Sequence, residues 1–332
     1  MSDIPFEPYY QDGAVTIYHG DCREVLPHLN CQADLYLVDP PYGMGKQKDG
    51  VANDNLYKDK LDAFLMECWR AARRCLKDNA SAYIWGNAQD LWRLWYVGGL
   101  KDSERLTFRN EIAWDKREEN PTMLVSGVPL KSRRMYHPTE RCLFFMLGEQ
   151  GFNNNADNYW EGWEPIRLYL EKEMQRCGWT VKDLNRITGT QMGGHWVTKS
   201  QWMLITAKHY ESLQEAAAQH DAFKRQHDEL KRAFYDTRAY FDNTHEAMTD
   251  VWDYPRVTGA ERHGHATPKP VAMMQRIIRS SCPVGGLVLD TFMGTGPTLV
   301  AAKLEGRKAV GIELDERYCE SAAKRLEQGV LF

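Results

Sequence analysis

Two hydrophobic rhythms alternate along this chain, one of period two and one close to 3.6. VTIYHGD at 15–21 alternates and is β-branched, which predicts a short strand, and a helix-like stretch follows over 22–29. ADLYLVDPPYG at 33–43 reads as a buried strand that runs straight into two prolines. Between 57 and 77, Leu61, Phe64, Leu65, Cys68, Trp69, Ala72 and Leu76 recur at helical spacing. SAYIWGN (81–87), RNEIAWDK (109–116) and ERCLFFMLG (140–148) predict further strands, with a helix over 88–100.

The middle of the chain changes character. Residues 149–164 are polar and rich in Asn and Trp, which predicts a loop, and helical periodicity then runs from 165 to about 240. PIRLYLEKEMQRCG predicts a helix stopped at Gly178, and TVKDLNRITG a second with Thr180 as N-cap and Gly189 as its stop. After the turn TQMGGH, a third helix is expected over roughly 195–207 and a longer one over 208–235. This succession resembles a helix-turn-helix, although a plain helical insert fits the same pattern. At the C-terminal end the pattern predicts a helix (269–282), a strand entering a Gly-rich turn (286–296) and a helix closed by Gly306, then a strand (307–315) and a last helix (316–329). That is half of a doubly wound sheet.

Composition narrows the class. A chain of 332 residues, 43% hydrophobic and 27% charged, holds about two domains or one with insertions, and can bury a sizeable core. No apolar run reaches the ~20 residues needed to span a bilayer, and the N-terminus lacks the pattern of a secretory signal, so a cytoplasmic protein is expected. Forty-two basic against forty-six acidic residues give −4, which excludes a coat held to nucleic acid by bulk charge but leaves room for a local basic groove. The eight cysteines are scattered without a Cys-x-x-Cys pair, and His263 and His265 have no further ligands near them in sequence, so no metal site is expected.

Two short motifs carry chemistry. LDTFMGTG (289–296) leads from a strand into a helix, and GIELD (311–315) places Glu313 at the end of the next strand, where an acid accepts from two ribose hydroxyls. The third glycine of a dinucleotide loop and the Gly-Lys-Ser/Thr of a phosphate loop are both missing, which favours a nucleoside ligand without a pyrophosphate. A tight strand-to-helix connection would need the same glycines. The second motif is Asp39-Pro40-Pro41-Tyr42, directly after LYLV. Two prolines fix a rigid extended turn and leave the Pro40 carbonyl free. With the Asp39 carboxylate it offers two acceptors to one amino group, and Tyr42 offers a ring on which a planar base can stack. A structural turn with a half-buried Tyr is the simpler alternative.

The pair resembles the amino-group DNA methyltransferases that use S-adenosylmethionine. DPPY looks like their catalytic motif and LDTFMGTG like their methyl-donor motif. The order, with the catalytic motif first, an insert between and the donor motif last, resembles the permuted β group. HATPKP at 265–270 also matches a segment that precedes the donor motif there. The resemblance covers about 1–148 and 250–329. It implies an α/β, Rossmann-like methyltransferase fold in permuted order with a helical target-recognition insert. The first catalytic half would be 1–148, the helix-turn-helix-like insert 149–245 and the second half 246–332.

The roles it implies fall on single residues. Asp39 and Pro40, with Pro41 and Tyr42, would hold the target amine. Phe292, Gly294 and Gly296 would shape the donor loop, Asp290 would lie near the methionine end of the donor, and Glu313 would take the ribose. Thr267 and Lys269 would approach the donor carboxylate, and Asp21 the donor adenine, although Asp21 also suits a helix N-cap. Pro297 departs from the Thr or Ser usual after the second glycine, but suits the first turn of a helix. Asp at the first motif position resembles adenine-N6 enzymes, where cytosine-N4 enzymes usually carry Ser.

Double-stranded DNA is the implied substrate, in a prokaryotic or phage setting. Arg117, Lys131, Arg133 and Arg134 suit phosphates, and Gln191, His195, Lys199 and Gln201 suit base edges. A cognate restriction endonuclease and a homodimer are open as partners. Cytosine-N4 methylation, and a non-catalytic DNA-binding protein that kept the fold, remain the competing readings.

Overall fold

The computed structural model describes residues 6–45, 52–116, 139–148, 159–265 and 267–328. The chain divides into two units, Met1–Leu147 with Tyr240–Phe332, and Gly148–Ala239. In chain order the elements are β1 (Tyr10–Gln11), β2 (Val15–His19), α1 (Cys22–Val25), β3 (Ala33–Val38), α2 (Asp59–Arg73), β4 (Leu76–Gly86), α3 (Ala88–Tyr96), β5 (Leu106–Asp115) and β6 (Thr139–Leu147). The second unit holds α4 (Glu164–Arg176), α5 (Val181–Thr188), α6 (Gly193–Val197), α7 (Ala207–Ala216) and α8 (His227–Asp236). The first unit resumes with β7 (Val251–Asp253), α9 (Val271–Ser281), β8 (Leu287–Asp290), α10 (Pro297–Leu304), β9 (Lys308–Glu313) and α11 (Glu316–Glu327).

Among the described residues nine strands join one sheet in the order β1-β2-β9-β8-β3-β4-β6-β5-β7. From β2 to β4 neighbours run parallel, while β6 runs antiparallel to both β4 and β5. β3 and β8 are the middle of the parallel run and are almost continuously apolar, as strands covered on both faces must be. After β3 the chain moves outward to β4; after β8 it moves the other way to β9. The boundary between β3 and β8 is therefore a topological switch point, where a crevice opens outside the carboxyl ends of the strands. Both motifs identified in sequence lie there.

The helices follow their apolar faces. α2 buries Leu61, Phe64, Cys68, Trp69 and Ala72 against the sheet. Its buried Asp62 is held by the Arg93 guanidinium through two bonds of 2.8 and 2.9 Å, which ties α2 to α3. Among the described residues no helix is long and apolar enough to cross a membrane.

The unit 148–239 has its own core, built on Trp163, Trp196, Trp202, Tyr210, Phe223 and Leu230. Thr180 and Asp183 form a capping box at the start of α5, and Gly189 ends it in the left-handed region. A Cβ on Gly193 would lie 2.7 Å from Asn185 Oδ1 and 2.9 Å from Leu184 Cβ, so only glycine lets α6 approach α5 this closely.

Two expectations for this unit are corrected. The third helix spans only Gly193–Val197, ending as Thr198 turns extended, and a separate helix opens at Ala207, where the Thr206 side chain accepts from the His209 amide. The long helix over 208–235 is two helices. Phe223 takes a φ of 55° between them, is buried, and donates its amide to Glu173 Oε2 at 2.5 Å. That contact closes a turn where helical periodicity alone predicts continuation.

Candidate active site

β3 delivers Asp39 to the crevice. Asp39 Oδ1 accepts from the Tyr42 hydroxyl at 2.6 Å, and Oδ2 accepts from Lys269 Nζ at 2.5 Å. The turn is held from behind by Asp54, a buried carboxylate that accepts the Tyr42 amide at 2.9 Å. Pro40 and Pro41 are buried and Tyr42 is half-buried. Burial, reinforced by the negative charges of Asp39 and Glu140, pushes the Tyr42 hydroxyl well above its usual range, so it stays a donor.

Lys269, expected near a donor carboxylate, is set against Asp39 and Glu140. Its ammonium reaches Asp39, Glu140 Oε2 at 3.0 Å and the Tyr42 oxygen at 3.1 Å. Burial favours its neutral form, but the two carboxylates outweigh that and hold it charged. Burial likewise pushes Glu140 up, yet the Lys269 and Lys116 ammonium groups hold it down at about 2. Sequence reasoning missed Glu140, Lys116 and Asp54. The one signal for Glu140 is a carboxylate at the mouth of the apolar strand TERCLFFML.

The glycine-rich turn lies one strand away. Asp290, at the end of β8, is buried and accepts the Phe292 amide at 3.0 Å. Burial lifts its carboxyl to about 7, against the opposing pull of the Thr298 hydroxyl and the Phe292 amide. Gly296 has a φ of 76°, and a Cβ there would lie 2.9 Å from Ala322 Cβ. It caps α10, which opens on Pro297 at its first position. Glu313 accepts the Gly294 amide at 2.9 Å through one oxygen and the Asp315 amide at 2.9 Å through the other. Burial raises its carboxyl above the usual range. Phe292 packs edge-on against Phe64 and lines, together with Pro40, Val38 and Trp69, a small apolar cavity shared by the two motifs. The Thr295 hydroxyl is buried in this loop with no hydrogen-bond partner among the described residues.

The remaining candidates are placed as follows. Asp21 caps α1 by accepting the Arg23 amide, and the Arg23 guanidinium holds its carboxyl low. His265 packs at a tilt against Tyr318, with ring centres 4.8 Å apart, lies over Gly294, and accepts the amide of the exposed Thr267 at 3.1 Å. No group of metal ligands exists among the described residues. In the second unit Gln191 and Gln201 are exposed, and His195 and Lys199 are partly so. The four cations expected on phosphates, Arg117, Lys131, Arg133 and Arg134, lie outside the described residues.

β9 and β8 end in Glu313 and Asp290, Asp39 follows the last residue of β3, and Asp21 stands two residues beyond β2. Strand register brings His19 opposite Glu313 and Asp290 opposite Gly311. Asp21 and Asp39 are each paired with a cation, Arg23 and Lys269, while burial raises the carboxyls of Asp290 and Glu313.

Comparison with known proteins completes the picture. A family model described as DNA methylase matches residues 33–324. The Type II methyltransferase M.HinfI of Haemophilus influenzae is 37% identical over 328 residues, covering 94% of this chain and 68% of that protein. The DNA adenine methyltransferase YhdJ of Escherichia coli K12 is 26% identical, covering 95% and 83%. Among solved structures, the M1.HpyAVI–SAM complex superposes with a TM-score of 0.52 at 18% identity, over 94% of this chain and 98% of that one, which shows the fold.

Proposed function

The chain belongs to the DNA methylase family, and from that membership we propose that it transfers a methyl group from S-adenosylmethionine to the exocyclic N6 amine of an adenine flipped out of duplex DNA at a specific site. The observation that carries this reading is the adjacency of the two motif loops at the β3–β8 switch point, with Pro40 and Phe292 lining one cavity. When bound, S-adenosylmethionine supplies an electrophilic methyl group on a positively charged sulfur. The fit rests on this chain's own residues: a glycine-shaped loop, an orphaned Thr295 hydroxyl and the Glu313 carboxylate that holds the Gly294 amide.

Glu313 binds the ribose hydroxyls, Asp290 lies toward the methionine end, and Phe292, Gly294 and Gly296 shape the loop. Asp21 lies nearest the adenine end, and Thr267 stands at the rim. Asp39 and the Pro40 carbonyl accept the two protons of the target amine, Pro41 keeps that turn rigid, and Tyr42 stacks on the flipped base. Accepting both protons draws the nitrogen lone pair out of conjugation with the ring, which is what makes the amine nucleophilic. No covalent enzyme intermediate is required.

The unit 148–239 acts as the target reader, with Gln191, His195, Lys199 and Gln201 toward base edges, while Arg117, Lys131, Arg133 and Arg134 take phosphates. The proposal includes a homodimer and a cognate endonuclease reading the same site. Adenine is favoured over cytosine by Asp39 at the first motif position and by the name of the Escherichia coli relative. Asp39→Ala tests the site: methylation is lost while donor affinity persists, and retained turnover removes Asp39 from the chemistry.

A further inference from the structure

Glu140 lies outside both motifs, yet it anchors a buried charge cluster behind Asp39. Strand register places it on one face of the sheet. Trp114 on β5 pairs with Glu140 on β6, and Trp85 on β4 pairs with Cys142, two residues along. The Lys269 ammonium rests on that face, 5.4 Å from the ring centres of Trp85 and Tyr42 and 5.9 Å from Trp114. Its side chain is only 5% exposed, and its three N–H groups meet Asp39, Glu140 and Tyr42. Lys116 closes the cluster by pairing with Glu140, which leaves two acids balanced by two cations.

Fold stability gives no reason for this arrangement. Burying each ion costs several kcal/mol, and an apolar cluster of the same size would be at least as stable. The cluster does fix one thing, the Asp39 carboxylate. Each of its oxygens takes one hydrogen bond from the protein, on Oδ1 from Tyr42 and on Oδ2 from Lys269. Each keeps one lone pair in a set direction. The ammonium, by contrast, has no N–H left for a donor carboxylate.

We propose that Lys269 and Glu140 are positioning residues for the methyl acceptor: Glu140 and the aromatic face fix the Lys269 ammonium, which aims the Asp39 carboxylate at the target amine. This rests on the reading of Asp39 given above. Donor binding and turnover therefore separate in variants of these two residues.

The test uses the full-length protein, with S-adenosylmethionine affinity from calorimetry and turnover on duplex DNA carrying the target site. Lys269→Met is expected to lower kcat by ~100-fold, the loss typical of a misaimed group, with donor Kd within about threefold of wild type. Glu140→Gln keeps an acceptor for Lys269 but not the charge, and is expected to lower kcat by ~10-fold with donor Kd again unchanged. Donor stoichiometry near one site per chain shows that each variant is folded. A donor Kd weakened about tenfold by Lys269→Met, with kcat retained, would assign Lys269 to the donor and overturn the proposal. If Lys269→Met does not fold, Glu140→Gln decides alone, and a wild-type kcat there overturns it. A wild-type chain that binds donor yet methylates no DNA overturns the underlying reading, and this inference with it.

Discussion

The hydroxyls of Tyr36 and Thr291 lie 2.8 Å apart in the buried core. They join the strand that delivers Asp39 to the residue just after Asp290, and so couple the two motif loops through a single hydrogen bond. Tyr36→Phe removes one partner and leaves the Thr291 hydroxyl buried and unsatisfied, which costs about 1–3 kcal/mol. Urea denaturation should show that loss as a lower midpoint with an unchanged slope. An unaltered midpoint would mean that this bond does not tie the loops together.

Glu313 braces the glycine-rich loop, and in the proposed function it also takes the ribose. Its two oxygens hold the Gly294 and Asp315 amides. Glu313→Ala should weaken S-adenosylmethionine binding by about 1–3 kcal/mol, as expected for lost bonds to a charged partner. Calorimetry measures this directly, and an unchanged dissociation constant would remove Glu313 from the ribose.

Asp290 makes the stability of the fold pH-dependent. Burial raises its carboxyl to about 7, so the folded chain holds a proton that the unfolded chain releases near pH ~4. Its contribution to stability is therefore whole below pH ~4 and is lost as the pH rises through 7. Asp290→Asn keeps an acceptor for the Phe292 amide but cannot ionise. Thermal melts should place the variant level with wild type at pH ~4 and above it at pH ~8. Parallel curves at both pH values would contradict the buried neutral acid.

Sequence selectivity should reside in the unit 148–239. Substituting Gln191 and His195 together by Ala in the full-length chain should change which sites are methylated and leave donor affinity unchanged. Sequencing of methylated DNA reads the outcome. An identical site preference would place recognition elsewhere.

The parallel half of the sheet was legible because β3, β8 and β9 are short apolar runs that end in marked turns. The two motifs were legible because their chemistry is written in consecutive residues. Glu140 was not legible. It meets Lys269 only because β6 pairs antiparallel with β4 and β5, and one strand does not state its partner. Lys269, Asp39 and Tyr42 were each found, but not that they meet, since the chain brings them together from the end of β3 and the segment before α9. The break at Phe223 escaped because its cause is a contact with Glu173 on α4, four helices back, and no Gly or Pro marks the turn.

The central claim is the reaction itself. The most direct test is to incubate the protein with S-adenosylmethionine and unmethylated genomic DNA, digest the DNA to nucleosides and analyse them by mass spectrometry. The account predicts N6-methyladenine, formed at a defined sequence and absent with Asp39→Ala. N4-methylcytosine, or no modified base from a protein that binds the donor, would contradict it.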